Sequence, residues 1–265
     1  MNMQDSTSNV FISSILSGKG GVGKSMASVN MAVQLSKMGY STALIDADLG
    51  LSNCATFFNR SVKYSVADWV NGNCGLEHLP QSIDGLTLIT AASEPSQANI
   101  GTEIMMDALD QVVEFLSTTH DFILIDTPAG AGEMTLWSLD ASNTGILVLV
   151  DEPAAISDVY RLCKYIYSID PEYDFAGIVN FAGNEQSAES TFKRFNTILD
   201  YFLNKHIPYL GFIPASERIK TAINEQRPLG LEQGDQDEIN EIKFIVQQLV
   251  GCAANQQQTQ PKPVH

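Results

Sequence analysis

The sequence predicts an α/β fold organised around a doubly wound, mostly parallel sheet. Apolar runs of strand length alternate along the chain with segments of helical periodicity, and this alternation indicates βαβ units with right-handed crossovers. Several runs are continuously apolar, as expected for strands that are buried on both faces of a parallel sheet. Neither an internal repeat nor a clear linker divides the pattern. We therefore predict one domain over residues 10–250, with a flexible N-terminus (1–9) and a disordered polar tail (251–265).

The elements follow in order from their hydrophobic patterns. Strands are predicted at 10–16, 41–46, 86–90, 121–126, 145–150, 175–180 and 207–212. Helices that connect or follow these strands are predicted near 26–38, 101–119, 156–169, 187–204 and 215–226. A last amphipathic helix is predicted over 235–250, and the segment that follows it is rich in Gln and Pro.

The composition is that of a soluble globular protein. Of the 265 residues, 44% are hydrophobic and 17% are charged, and 15 Lys and Arg against 31 Asp and Glu give a net charge of −16. This charge disfavours broad nucleic-acid binding and adhesion to anionic membranes by charge alone. The four cysteines and four histidines form no C-x-x-C or metal-binding pattern. Because the sequence shows neither a leader nor an apolar run of membrane-spanning length, we expect a cytoplasmic protein.

Residues 18–25 form a complete phosphate-binding loop, G-x-x-x-x-G-K-S. The loop lies between the first predicted strand and the first predicted helix, which is the context that this motif requires. Its glycines allow backbone N–H groups to surround phosphate oxygens, Lys24 can reach the β- and γ-phosphates, and the Ser25 hydroxyl can hold Mg²⁺. The predicted nucleotide-binding residues of the loop are Gly20, Gly21, Val22, Gly23, Lys24, Ser25 and Met26.

The second residue of the loop is also a lysine, Lys19. A cation near the start of a helix opposes the helix dipole, so Lys19 gains nothing from the helix that follows it. Its expected use is to neutralise phosphate charge, either within this chain or in a partner.

Three acidic motifs follow predicted strands, at the edge of the sheet where ligands bind in open α/β folds. They begin at Asp46, Asp126 and Asp151. A Mg²⁺-nucleotide requires carboxylates near its metal and a polar group that orients the attacking water. Asp126 has the position of an aspartate that holds a metal-bound water. Asp48 opens a Gly-containing loop from which it can orient the attacking water.

The predicted metal site therefore comprises Ser25, Asp48 and Asp126, and the predicted catalytic residues are Lys19, Lys24 and Asp48. For any one of the acidic residues taken alone, an ordinary helix N-cap after a strand is the alternative interpretation.

The loop Lys19-Gly20-Gly21-Val22-Gly23-Lys24-Ser25 resembles the deviant Walker motif of MinD/ParA-type P-loop ATPases, and the resemblance covers nearly all of the chain. Residues 46–53 are similar to the switch I of that family, and residues 126–130 are similar to its switch II. Three further segments are similar to the FlhG or FleN subgroup, which regulates the number and placement of flagella. They are 90–93, 151–160 and 224–228. The resemblance implies a P-loop NTPase fold of the SIMIBI type.

The resemblance also implies an ATP- and Mg²⁺-dependent homodimer with the nucleotides between its two chains. Lys19 would then contact the phosphates of the partner chain's ATP, as an arginine finger does, and Asp158 would pair with that lysine. Asn53 and Gly130 belong to the two switches.

Two residues correspond to the adenine-binding part of the family's site. Asn180 ends a predicted strand where the family has an Asn that reads the adenine, and Pro214 would supply backbone on the other side of the base. The Arg that usually follows the Asn is replaced by Phe181.

Other positions depart from the family pattern. Residues 1–9 lack the Asp-Gln-Ala motif by which flagellar members contact a partner GTPase, and Ala55 stands where switch I usually has an acidic residue. Family members end in a basic amphipathic helix that binds the membrane, whereas the helix predicted at 235–250 carries a single lysine and several acidic residues. Because a membrane surface attracts cations, we expect this helix to pack on the sheet and expect no direct membrane contact.

The predicted function is an ATP-dependent dimerising switch whose hydrolysis is slow, because the site has positioning groups but no strong general base. It would act with an unidentified protein partner or activator on flagella or another polar machine, and a partner would recruit it to the cell pole or membrane. Two alternatives stay open. One is a nucleotide-gated scaffold that barely hydrolyses ATP, and the other is a ParA-type ATPase that positions DNA or cargo, which the net charge disfavours.

Overall fold

The computed structural model describes residues 10–50, 53–93, 97, 100–232, 234 and 236–259. In this part of the chain, eight strands form one sheet. They are β1 (Phe11–Leu16), β2 (Thr42–Asp46), β3 (Gln81–Ile83), β4 (Leu86–Thr90), β5 (Phe122–Asp126), β6 (Thr144–Leu149), β7 (Phe175–Ala182) and β8 (Tyr209–Pro214). Their order across the sheet is β3-β4-β2-β5-β1-β6-β7-β8, and all neighbours are parallel except β3 and β4. The predicted doubly wound, mostly parallel sheet is confirmed.

Helices cover both faces of this sheet. They are α1 (Lys24–Lys37), α2 (Cys54–Phe57), α3 (Val66–Val70), α4 (Thr102–Ser117), α5 (Glu133–Asp140), α6 (Pro153–Ile169), α7 (Glu185–Leu203), α8 (Glu217–Asn224) and α9 (Asp237–Thr259). The helices α1, α2, α8 and α9 pack on one face, and α3 to α7 pack on the other. In the described residues, these helices lack the combination of length and hydropathy that a bilayer span requires.

Consecutive residues of the strands contribute to opposite faces of the core. Ile15 belongs to the core cluster that contains residues of α1 and α9, whereas its neighbour Leu16 belongs to the cluster with residues of α6 and α7, and both side chains are fully buried. Leu44 and Ile45 of β2 divide in the same way. Burial on both faces explains why the central strands read as apolar runs instead of alternating with polar residues.

The hairpin of β3 and β4 is absent from the predicted elements. Its turn is Asp84-Gly85, with φ of 49° and 89°, and Ile83 pairs with Leu86 across it. A two-residue turn with both φ values positive is the usual hairpin connection, and Asp-Gly is one of its preferred sequences. The Asp-Gly pair therefore indicates a hairpin turn, but the three residues of β3 are too few to show the alternation typical of a strand. The helices α2, α3 and α5 are likewise short additions to the predicted elements.

The prediction of a disordered tail over 251–265 is wrong for its first part, because α9 continues to Thr259. Ala253 is buried against the core. The Gln256 side-chain amide donates to the Asn143 carbonyl at 3.3 Å and to the Asp174 carboxylate at 2.9 Å. Alanine and glutamine have high helix propensity, and these tertiary contacts hold the segment against the rest of the chain. The helix therefore continues into a segment for which the composition predicted disorder. The segments 1–9 and 260–265 lie outside the described residues.

The expected packing of the last amphipathic helix on the sheet is confirmed. Ile242, Ile245, Val246 and Leu249 of α9 are fully buried and face β8 and α1. This face of α9 is therefore occupied by the protein's own core.

Candidate nucleotide-binding site

The phosphate-binding loop connects β1 to α1 at the carboxyl edge of the sheet. It borders a cavity of ≈ 390 Å³. The lining residues are Ser17, Lys19, Gly20, Gly21, Val22, Gly23, Lys24, Ser25, Met26, Asp48, Asn53, Phe57, Ala129, Phe181 and Ile223. The structure thus brings all the predicted loop residues together with Asp48 and Asn53. Asn180, Pro214 and Asp126 do not line this cavity.

Two glycines of the loop are required by their surroundings. Gly23 has φ of 83°, and a Cβ there would lie 2.2 Å from the amide nitrogen of Asn180. A Cβ on Gly18 would lie 2.5 Å from the Cβ of Asp158 and from the backbone nitrogen of Val159. The loop is therefore held closely between β7 and the first turns of α6, and a larger residue at either position would displace it.

Lys24 lies at the base of the cavity in a buried ion pair with Asp126. Its Nζ is 3.0 Å from Asp126 Oδ1, and the two side chains are 10% and 1% exposed. The same carboxylate oxygen accepts a 2.8 Å hydrogen bond from the Ser28 hydroxyl. Asp126 ends β5 and Ser28 belongs to α1, so the pair links the sheet to the helix that follows the loop.

Asp46 organises the loop that carries Asp48. It ends β2 directly beside Asp126, the last residue of β5. Its fully buried carboxylate accepts hydrogen bonds from the backbone N–H groups of Asn53 at 2.8 Å and Cys54 at 2.9 Å. The sequence analysis identified the motif that begins at Asp46 but predicted no role for the Asp46 carboxylate itself. The motif of two aspartates one residue apart was the available signal, since a buried carboxylate needs donors nearby.

Cys54 lies between these two carboxylates. Its Sγ is 3.6 Å from Asp126 Oδ2, and complete burial together with the charges of Asp46 and Asp126 raises the pKa of its thiol well above the usual value. One ligand atom from each of Asp46, Cys54 and Asp126 lies within 4.8 Å of the others. Because the thiol stays protonated, it donates to a carboxylate instead of acting as a nucleophile.

The donor set at the cavity fits Mg²⁺, which prefers oxygen ligands and retains several waters. Ser25 and Asp48 line the cavity and would offer a hydroxyl and a carboxylate. The Asp126 carboxylate lies behind Lys24 and would hold a water bound to the ion. A thiol is a poor ligand for this ion, so Cys54 would stay outside the coordination sphere.

Lys19 is more exposed than Lys24 and pairs with a different acid. Its ammonium forms an ion pair with Glu152, the residue that precedes α6. The expected pair of Lys19 with Asp158 is not formed within one chain, because Asp158 binds Arg161 at 3.0 Å. Whether Asp158 contacts the lysine of a second chain stays a prediction. Glu152 follows Asp151 in the third acidic motif, but nothing in its local pattern indicates contact with the loop.

The predicted adenine and switch residues lie around the same edge of the sheet. The Asn180 amide donates to the Val22 carbonyl at 2.7 Å, so in this structure Asn180 supports the loop. Phe181, with φ of 56°, lines the cavity beside it. The Gly130 N–H donates to the Ser17 carbonyl at 2.9 Å, which ties the segment after β5 to the start of the loop. Pro214 ends β8 next to Ala182. The adenine and switch roles of Asn180, Pro214 and Gly130 stay predictions.

This arrangement, in which a glycine-rich turn leads from a central parallel strand into a helix beside buried aspartates, is that of a P-loop nucleotide-binding protein. The family model described as "ParA: NUBPL iron-transfer P-loop NTPase" matches residues 9–250. The chain belongs to the ParA family of P-loop NTPases.

One relative is named as an antiactivator and another as a flagellum site-determining protein. The chain is 32% identical over 228 residues to the antiactivator FleN of Pseudomonas aeruginosa, and the aligned segment covers 86% of this chain and 81% of FleN. It is 33% identical over 234 residues to the flagellum site-determining protein YlxH of Helicobacter pylori, which covers 85% and 76% of the two chains. These matches confirm the resemblance to the FlhG/FleN subgroup.

Solved structures of MinD share the fold. The structure of the MinC:MinD cell division protein complex from Aquifex aeolicus matches with a TM-score of 0.74 at 23% identity, over 97% of this chain and 98% of the other. MinD from Pyrococcus horikoshii, solved with Mg-ADP, matches with a TM-score of 0.71 at 22% identity, over 92% and 98% of the two chains. At these identities, the likeness supports the fold assignment alone.

Proposed function

We propose that the protein is an ATP-dependent dimerising switch that regulates the number or placement of flagella, with an unidentified protein partner that recruits it from the cytoplasm to the cell pole. The observation that carries the proposal is the pair of lysines on one cavity. Lys24 is buried at its base, whereas the Lys19 side chain is 35% exposed at its border. A cation at the border is accessible to a second chain. The named relatives FleN and YlxH supply the flagellar part of the proposal.

Each residue of the site has a separate role in this proposal. Lys24 and the backbone N–H groups of the loop bind phosphate oxygens, and Ser25 and Asp126 hold the metal ion or its waters. Asp48 orients the attacking water from the loop that follows β2, and Lys19 reaches the phosphates of the second chain. Bound ATP and Mg²⁺ would supply the phosphoryl group and the charge that draws the two chains together. No strong general base lines the cavity among the described residues, so turnover without an activator is expected to be slow.

Light scattering of purified protein with ATP and Mg²⁺ tests the dimer. The wild type is expected to double its mass on addition of ATP, and Lys19→Ala is expected to stay monomeric while it still binds a fluorescent ATP analogue. Lys243→Ala is the matched control, because Lys243 is an exposed lysine on α9, away from the cavity. Equal dimerisation of wild type and Lys19→Ala would contradict a role for Lys19 across the interface.

Asp48→Ala tests the switch and identifies its partner. Without the group that orients water, the variant is expected to dimerise with ATP but to hydrolyse it at least tenfold more slowly. Used as bait, it should retain the partner that the wild type releases. Flagella counted by electron microscopy in cells that carry only this variant should differ in number or position from wild type. Unchanged flagella would contradict a switch that acts on flagella through hydrolysis. Like near-zero turnover of the wild type with its partner, that result would favour the scaffold alternative.

A further inference from the structure

Glu152 contacts the loop from a position that the backbone fixes. It is the residue before Pro153, which begins α6, and its φ of −132° and ψ of 125° are extended. Helical conformations are disfavoured for a residue that precedes proline, so Pro153 favours this extended geometry. Its N–H also donates to the Val150 carbonyl at 2.8 Å. The start of the Glu152 side chain is therefore held at the carboxyl edge of the sheet.

The carboxylate of Glu152 does not cap the helix that it precedes. Ser, Thr, Asp and Asn are the residues that cap a helix from this position, and Glu152 makes no side-chain cap bond to α6. It extends to the ammonium of Lys19 instead.

The loop end of this ion pair is fixed as well. Gly18 lies so close to α6 that a Cβ would come within 2.5 Å of Asp158 Cβ. The Ser17 hydroxyl donates to the Lys19 carbonyl at 3.0 Å. Because both backbones are held against α6, the pairing of Lys19 with Glu152 follows from the packing of the loop.

Other carboxylates near this edge have cations of their own. Asp151 pairs with Arg194 of α7, and Asp158 pairs with Arg161 of α6. We propose that Glu152 is a positioning residue that holds Lys19 within its own chain, and that Lys19 must leave Glu152 before it can contact the phosphates of a second chain. The second half of this inference rests on the proposed function.

The exposure of the pair sets the size of the effect. The Lys19 and Glu152 side chains are 35% and 58% exposed, and solvent-exposed pairs change an equilibrium by about two- to fivefold. Each chain of a dimer releases one such pair, so the two effects multiply to about four- to twenty-five-fold on dimerisation. A restraint of this size weakens dimerisation without preventing it.

The first test measures the holding of Lys19 in the single chain. Nucleotide-free protein is treated briefly with an amine-acylating reagent, and the labelling of Lys19 is quantified by mass spectrometry relative to exposed Lys243. Glu152→Gln is expected to raise the labelling of Lys19 about two- to fivefold. Asp151→Asn removes the same charge one residue away, where the partner is Arg194, and should leave Lys19 labelling unchanged. Equal labelling in wild type and Glu152→Gln would overturn the proposal.

The second test measures the release. Glu152→Gln is expected to dimerise with ATP at a protein concentration about four- to twenty-five-fold below that of the wild type, with unchanged nucleotide affinity of the monomer. Raised labelling combined with unchanged or weaker dimerisation would overturn the requirement for release. If neither wild type nor variant dimerises with ATP, the proposed function fails, whereas the labelling result still decides whether Glu152 holds Lys19.

Discussion

Lys19 and Lys24 belong to the same loop and each pairs with a carboxylate, but the two ion pairs lie in opposite environments. The side chains of Lys24 and Asp126 are 10% and 1% exposed, and those of Lys19 and Glu152 are 35% and 58% exposed. Because the pair of Lys24 and Asp126 is buried, loss of one partner leaves the charge of the other poorly compensated. Both partners of the exposed pair can be solvated when they separate.

The difference shows how one short loop can combine a fixed cation with an exchangeable one. Lys24 is positioned by burial and by the strand that ends at Asp126, and it needs no second chain. Lys19 is positioned by a contact that water can break, which suits a group proposed to change partners. Substitutions at the two lysines should therefore differ in how much stability they cost and in how that cost depends on salt. They should also differ in whether removal of the partner charge restores stability.

Lys24→Ala is expected to give the largest effect. It leaves the Asp126 carboxylate buried without its cation, and such losses destabilise by about 3–5 kcal/mol. The remaining hydrogen bond from Ser28 should place the loss near the lower end of that range. Urea titration without nucleotide measures the free energy of unfolding.

Rescue separates this charge effect from a loss of packing. Lys24→Ala combined with Asp126→Asn removes the uncompensated charge, so most of the stability should return. Nucleotide binding should be weak in both variants, because each lacks the lysine proposed to bind phosphate. If the double variant is as unstable as Lys24→Ala, the buried pair does not dominate stability at this position.

Ser28→Ala is expected to give an intermediate effect. The hydroxyl donates to the same oxygen of Asp126 as Lys24 does, and a hydrogen bond to a buried charge contributes about 1.5–3 kcal/mol, partly offset by the helix propensity of alanine. Ser36→Ala is the matched control on α1, since the Ser36 hydroxyl donates to the neutral carbonyl of Gly85. A loss no larger than that of the control would show that Lys24 alone compensates Asp126.

Lys19→Ala is expected to give the smallest effect on stability, less than about 1 kcal/mol. Raising the salt concentration to about 1 M should reduce that difference, because the Debye length then falls to about 3 Å, close to the separation of an ion pair. The loss caused by Lys24→Ala should persist at the same salt concentration. If Lys19→Ala destabilises as strongly as Lys24→Ala and resists salt, the two pairs do not differ as their exposure indicates.

The fold was largely predictable because its strands are buried on both faces. Runs such as Phe122 to Ile125 are apolar at every position. This pattern can be recognised without knowing which strands lie beside it. Short elements gave no such signal, as β3 and α2 show. The end of α9 was missed for another reason: Ala253 and Gln256 are held by contacts with distant residues, whereas composition reports only their average polarity.

The site was predictable where its chemistry is local. Lys24 and Ser25 were identified because a phosphate loop needs its glycines, lysine and hydroxyl at fixed spacing. The tasks of Asp46 and Glu152 were not identified, because each depends on what another segment brings to it. Asp158 was expected to meet Lys19, but within one chain Arg161, three residues along the same helix, is its partner.

The sequence by itself determined the order of the elements and the loop that carries both lysines, because burial and backbone geometry act on neighbouring residues. Only the tertiary structure decided which carboxylate each lysine contacts. The parallel register of β1 and β5 sets Asp126 beside the end of the strand that leads into the loop of Lys24, and the packing of Gly18 against α6 sets Lys19 beside Glu152. These contacts join residues far apart in the chain, and the physical reason they escape a sequence pattern is that ion pairs depend on distance in space.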